Sequence, residues 1–195
     1  MKSRTLVSVF SGILFVAMLV IFTSLEASAM KIAGVDVPQS VTVGDKALVL
    51  NGAGIRKKII IKVYVGSLYL EAKQKDVGKV LADPGAKSIV MNFLYKEVSR
   101  KRTIEGWNKG FDSNHLTKEL IPLKKRINQF NSLFTTVYEG DEIRLDYLPG
   151  KGTQVIINGT VRGTVPGEDF HQAVMKIWLG AKPADKKLKK AMLGK

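Results

Sequence analysis

The chain has no cysteine among its 195 residues. Disulfides, thiolate nucleophiles and cysteine-ligated metals are therefore excluded, and cysteine usage leaves the redox compartment unmarked. Histidine is almost absent too, with only His115 and His171. They share no short metal-ligand spacing, and neither sits in a haem-attachment motif, so no metal and no cofactor is expected. His115 lies near Asp112 and Ser113, but there is no G-x-S-x-G turn to present a serine nucleophile, which argues against a hydrolase. His171 opens an expected helix and is expected to face solvent. Gly52 and Gly54 lack the third glycine of a dinucleotide fingerprint, and they lead into a strand rather than a helix.

Acidic residues are scarce, 17 against 31 lysines and arginines, for a net charge of +14. Such a surface suits nucleic acid, anionic lipid headgroups, or simply water. No zinc pattern, RNA-binding aromatic signature or recognition helix accompanies the charge, so nucleic acid is not expected as a partner. Peripheral contact with an anionic membrane stays open.

The chain begins like an export signal. Lys2 and Arg4 precede an apolar run from Thr5 to Leu25, and Ala27-Ser28-Ala29 supplies small residues for a signal peptidase. Residues 1–29 are read as a signal peptide, with an uncleaved anchor as the alternative. Residues 30–195 then form one domain, periplasmic or secreted.

Within that domain, Asn51 to Glu71 reads NGAGIRKKIIIKVYVGSLYLE. Taken as one continuous strand from Arg56, its alternation puts Arg56, Lys58, Ile60, Lys62 and Tyr64 on one face, and Ile59, Ile61, Val63 and Val65 on the other. The glycines ahead of Arg56 read as a bend that aims the strand. A guanidinium, a phenol and hydrocarbon in one line suit a ligand that is mostly apolar with one anionic or carbonyl end.

Other elements follow from punctuation. Short extended pieces span 32–37 and 46–50, around a Gly44-Asp45 turn. A helical turn or two covers Lys75 to Ala82, and Lys87 to Tyr95 reads as a strand with Ile89, Met91, Phe93 and Tyr95 on one face. Ser99 caps a helix to about Phe111, and Asp112 to His115 read as a turn. Thr117 is expected to cap one long helix to about Val137, whose stripe is Leu120, Leu123, Ile127, Phe130, Phe134 and Val137. After the strand Ile143 to Leu148, Asn158-Gly159 marks a two-residue hairpin turn. A helix from Glu168 or Asp169 to Gly180 buries Phe170, Val174, Ile177 and Trp178, and Lys186 to Leu193 is a short basic helix or tail. No alternating strand–helix rhythm appears. The domain reads as α+β, an antiparallel sheet with helices on one face.

The run A-G-x-R followed by K-V-Y and L-Y-L-E resembles the chalcone isomerase-like family, above all its bacterial members with a signal peptide. The tail from Gly167 to Gly194 resembles the same proteins. The resemblance implies an open-faced β-sandwich of the chalcone isomerase type, a large antiparallel sheet covered by a layer of helices with an apolar cleft between them. It implies that Arg56 matches the catalytic arginine of the plant enzymes. Their next catalytic position, a threonine, aligns with Tyr64, and fatty-acid-binding relatives use a tyrosine there to hold a carboxylate with the arginine. The remaining positions depart from the enzyme: its tyrosine falls near Val98, with Tyr95 close by, its asparagine near Glu105, and its late threonine near Ile177. The sequence therefore points to a fatty acid or similar amphipathic ligand, its head on Arg56 and Tyr64, with Tyr95 nearby and Phe93, Phe130, Phe134 and Trp178 as candidate walls. The alternatives are an isomerase of an enone, with Arg56 as electrophile and Tyr64 or Tyr95 as proton donor, and an adaptor at an anionic membrane surface.

Overall fold

The computed structural model describes residues 29–195; the expected signal or anchor segment lies outside them, Ala29 excepted. No helix among the described residues is long and apolar enough to cross a membrane. A seven-stranded antiparallel sheet forms the frame. Its strands are β3 (Ser40–Val43), β4 (Lys46–Lys58), β5 (Ile61–Leu70), β6 (Lys87–Phe93), β9 (Glu142–Leu148), β10 (Gly152–Ile157) and β11 (Thr160–Val165). Across the sheet they run β11-β10-β9-β6-β5-β4-β3. Two small antiparallel pairs stand apart from it: β1 (Met30–Ile32) with β2 (Val35–Val37), and β7 (Glu97–Val98) with β8 (Val137–Tyr138).

Period-2 alternation sorts the sheet's side chains onto two faces. Tyr64, Leu68 and Leu70 of β5, with Ile89, Met91 and Phe93 of β6 and Ile143 and Leu145 of β9, join the larger core. Val65 and Tyr69 of β5 and Val90 of β6 join a smaller core with Val37, Val43, Leu48 and Leu50. The sheet curls around this smaller core. Arg144 on β9 donates to the carbonyl of Thr42 on β3, although three strands separate them in sheet order. The Tyr69 hydroxyl donates to Pro38 O at 2.9 Å, fastening the first hairpin over the curl.

The helices cover the other face: α1 (Val77–Ala82), α2 (Arg100–Asn114), α3 (Thr117–Leu120), α4 (Lys124–Ser132), α5 (Glu168–Leu179) and α6 (Lys186–Met192). Ser99 caps α2 as expected, accepting from Arg102 N. An interlocked aromatic cluster fills the layer. Phe130 lies 4.8 Å from Phe134 and 5.6 Å from Phe170 between ring centroids, and Trp107 lies 5.4 Å from Phe134 and 5.5 Å from Trp178.

Three sequence expectations fail here. The single helix from Thr117 to Val137 is broken into α3, a 3-10 turn at Ile121–Leu123 and α4, because Pro122 has no N–H for an α-helical ladder. Phe134 lies beyond α4, and Val137 opens β8. The turn expected at Asp112 to His115 is the last turn of α2, held by Asn114, whose amide donates to Gly110 O and Lys182 O. His171 does not face solvent. It is 3% exposed, stacked on Tyr147 at 4.1 Å and within 3.1 Å of the Thr153 hydroxyl.

Candidate functional site

The fourth correction concerns the central strand itself. Arg56 and Tyr64 are not eight residues apart on one strand. The chain turns back at Ile59-Ile60, and Arg56 of β4 pairs in register with Tyr64 of β5. The two side chains share a face, as expected, but as cross-strand neighbours. The Arg56 guanidinium carbon lies 5.5 Å from the Tyr64 ring centroid, within reach of a cation–π attraction.

A one-residue bulge decides which face that is. Leu50 pairs with Tyr69 on the smaller-core side, whereas Gly52 pairs with Leu68 on the helix side. Asn51 is the extra residue, so every even-numbered position after it changes face. Gly52, Gly54 and Arg56 thereby point at the helices. Asn51 is held at the bulge by its own amide: Gln74 N donates to its Oδ1 at 2.7 Å, and its Nδ2 donates to Gln74 O and Met192 O.

The glycines do more than bend the strand. A Cβ at Gly52 would stand 2.1 Å from the carbonyl oxygen of Ala191, and one at Gly54 would stand 2.7 Å from the Ala191 Cβ. Gly66 on β5 is similarly pressed by Leu188. The glycines form a bare bed on which α6 lies. The helix brings Asp185, its N-cap, beside Arg56. The Asp185 carboxylate accepts from Lys57 N at 3.0 Å and from Lys187 N and Leu188 N. Burial opposes its charge, yet these backbone donors and the Arg56 charge hold its carboxyl below the usual range. Arg56 forms no ion pair within 4.0 Å among the described residues.

Opposite the hairpin stands α2. Thr103, Trp107 and Phe111 recur every fourth residue and are buried on the sheet side. Arg56, Tyr64, Phe93, Thr103, Trp107 and Ile177 are among the residues that enclose a hollow of about 50 Å³. Three buried polar atoms without a hydrogen-bond partner belong to residues around it: Arg56 Nε, Thr103 Oγ1 and Trp107 Nε1. Tyr64 adds a fourth group. Its oxygen accepts from Trp178 Nε1 at 2.8 Å, so its own proton remains free to be donated. Burial pushes the Tyr64 phenol up, against the Arg56 charge and the Trp178 bond, so it holds that proton. The residues around the hollow thus carry N–H and O–H groups with no acceptor among the described residues.

Outward from the hollow, a cleft of about 720 Å³ opens between the β4–β5 hairpin, α2 and the loop before α6. Ile59, Ile61, Val63, Tyr95, Val98, Pro183 and Ala184 supply apolar wall, and Arg102, Glu105, Lys109 and Lys182 supply charge.

The residues singled out from sequence divide into three groups. Arg56, Tyr64 and Phe93 line the hollow, and Tyr95 lines the outer cleft. Trp178 is 1% exposed and reaches the site through its bond to Tyr64. Phe130 and Phe134, 0% and 1% exposed, line neither space and instead pack the aromatic cluster behind Trp107. Thr103, Trp107, Arg102 and Asp185 were not singled out. The four-residue spacing of Thr103, Trp107 and Phe111 was the available signal for α2's share.

Comparison with known proteins agrees with this architecture. Residues 29–194 match the profile described as chalcone isomerase-like. Among solved structures, a fatty-acid binding protein of Arabidopsis thaliana is 18% identical, with a TM-score of 0.63 over 82% of this chain and 92% of that one. That likeness carries the fold. No match is found among curated proteins. The family match runs from the first hairpin through the Arg56 strand to α6, and the chain belongs to the chalcone isomerase-like family.

Proposed function

We propose that the protein binds an amphipathic carboxylate, a fatty acid or a molecule of similar build, without turning it over. The carrying observation is that three buried polar atoms without a partner belong to residues lining one small hollow, beside the Tyr64 hydroxyl. A buried donor left unpaired costs about 1–3 kcal/mol, so an anionic acceptor there is favoured several times over. The hollow of about 50 Å³ is small beside the outer cleft of about 720 Å³; the first suits a carboxylate head and the second a chain. The hydrocarbon belongs in the outer cleft, along Ile61, Val63, Val98 and Pro183. The described fold neighbour bears a fatty-acid binding name, which supports the ligand class. In this reading residues 1–29 direct the domain out of a bacterial cytoplasm, to the periplasm or beyond.

Mass spectrometry of gently purified protein tests it, with extracted small molecules compared between wild type and Arg56→Ala. A stoichiometric carboxylate in wild type alone supports the reading. An empty site in both, with turnover of an enone that is lost in Arg56→Ala, assigns the isomerase instead.

A further inference from the structure

The two most exposed large apolar side chains in the described structure are neighbours. Ile59 is 92% and Ile60 87% exposed. They are the whole turn between β4 and β5, because Lys58 pairs with Ile61 on either side of them. Ile59 has φ +60°, a left-handed conformation that glycine, asparagine and aspartate enter readily and β-branched residues almost never do. At the β10–β11 turn the corresponding position is filled by Asn158, at φ 49°, a residue that enters this region readily. Folding alone therefore favours glycine at position 59. The isoleucines add strain and exposed hydrocarbon, and nothing within the domain covers them.

The surroundings indicate what does. Lys57, Lys58 and Lys62 are exposed on both strands just behind the tip, and Ile61 is 44% exposed between them. No acidic residue lies between Arg56 and Leu70. An apolar point inside a collar of lysines matches an anionic bilayer, whose acyl region takes the isoleucines while its phosphates take the ammonium groups. Lys57, Lys58, Ile59 and Ile61 are also one lip of the outer cleft.

We propose that the Ile59-Ile60 tip inserts into anionic phospholipid membranes, with Lys57, Lys58 and Lys62 on the headgroups, so that the cleft opens against lipid. The docking does not depend on Arg56 and stands apart from the ligand reading.

The absence of cysteine makes a direct test simple. The full chain carrying Ile60→Cys is labelled with an environment-sensitive fluorophore and mixed with phosphatidylglycerol–phosphatidylcholine vesicles or with phosphatidylcholine alone. Val161→Cys, on the β10–β11 hairpin and 54% exposed, is the reference. The expected result is a blue shift at position 60 with anionic vesicles only, weakened by salt, and none at position 161. Reading the label's surroundings rather than the bound fraction keeps any attachment through residues 1–29 from imitating the result. Replacing Lys57, Lys58 and Lys62 by glutamine should raise the lipid needed for the shift about a hundredfold, at about fivefold each. Arg162→Gln, an exposed cation on β11, should leave it unchanged. Ile59→Gly should unfold at a higher temperature than wild type. No shift at position 60, an equal shift at 161, indifference to lipid charge, or an Ile59→Gly variant less stable than wild type would overturn the proposal.

Discussion

Arg56 and Tyr64 face each other across the β4–β5 hairpin as register partners, the guanidinium carbon 5.5 Å from the phenol ring centroid. The pair is rigidly placed. Tyr64 is 3% exposed and tied to Trp178, so the arginine rests on a fixed surface rather than waving from a loop.

Removing the cation while keeping this surface should weaken carboxylate binding about 10–100-fold, the range of a charged hydrogen bond. Arg56→Lys should recover only part of the loss, because an ammonium lacks the flat fork that grips both oxygens. Titration of each variant with a fluorescent fatty acid measures this. Equal affinity in wild type and Arg56→Ala would remove the arginine from the site.

Trp107 offers a cleaner cut. Trp107→Phe keeps an aromatic ring among Phe130, Phe134 and Trp178 but deletes a buried Nε1–H that has no partner. Ligand affinity should fall about tenfold. The ligand-free protein should lose less stability than core truncation normally costs, because the unpaired donor goes too. Paired binding and urea-unfolding curves show both effects.

The glycine bed predicts a different defect. Gly52→Ala drives a methyl into the Ala191 backbone oxygen, and overpacking of this kind costs about 1–3 kcal/mol or more. The relief available is to lift α6. That would carry Asp185 away from Lys57 N and expose Asn51. Faster amide exchange at 186–193, with the rest of the sheet unchanged, is the expected signature.

His171 sets an acid limit. Burial, and then the Lys87 charge, push its pKa down to about 3. The unfolded chain binds that proton near the ordinary value of about 6.5. The contribution is therefore fully present above about pH 6.5 and is lost as pH falls from there towards 3. Unfolding free energy should drop by about 2 kcal/mol between pH 6.5 and 5, and His171→Gln should flatten that slope. Urea titrations at the two pH values decide it.

Much of the fold was legible because local chemistry agreed with it. Asn158-Gly159, the Ser99 cap and the stripe of α5 each specify their element without help from distant residues. The central hairpin was not legible, because Ile59-Ile60 contradicts turn chemistry and reads as more strand. The bulge at Asn51 was hidden for a related reason: its anchors, Gln74 and Met192, lie 23 and 141 residues away. Burial of His171 was missed because its partners, Tyr147 and Thr153, come from two other strands. Arg56 stood out as the arginine of the A-G-x-R run at the head of an apolar stretch, whereas Trp107 and Thr103 looked like ordinary core. Only the folded structure shows that their polar atoms have nothing to bond.

The docking of α6 onto β4 also imposes an order on the protein's early life. Residues 185–193 leave the ribosome after every strand of the sheet, yet they cover the glycines beside Arg56 and cap its neighbour Lys57. Until they arrive, the bulge lacks one of its anchors and the arginine lacks a wall. The hollow's own lining reaches only to Ala184, so a chain without α6 keeps those residues but loses the support of the strand that carries Arg56.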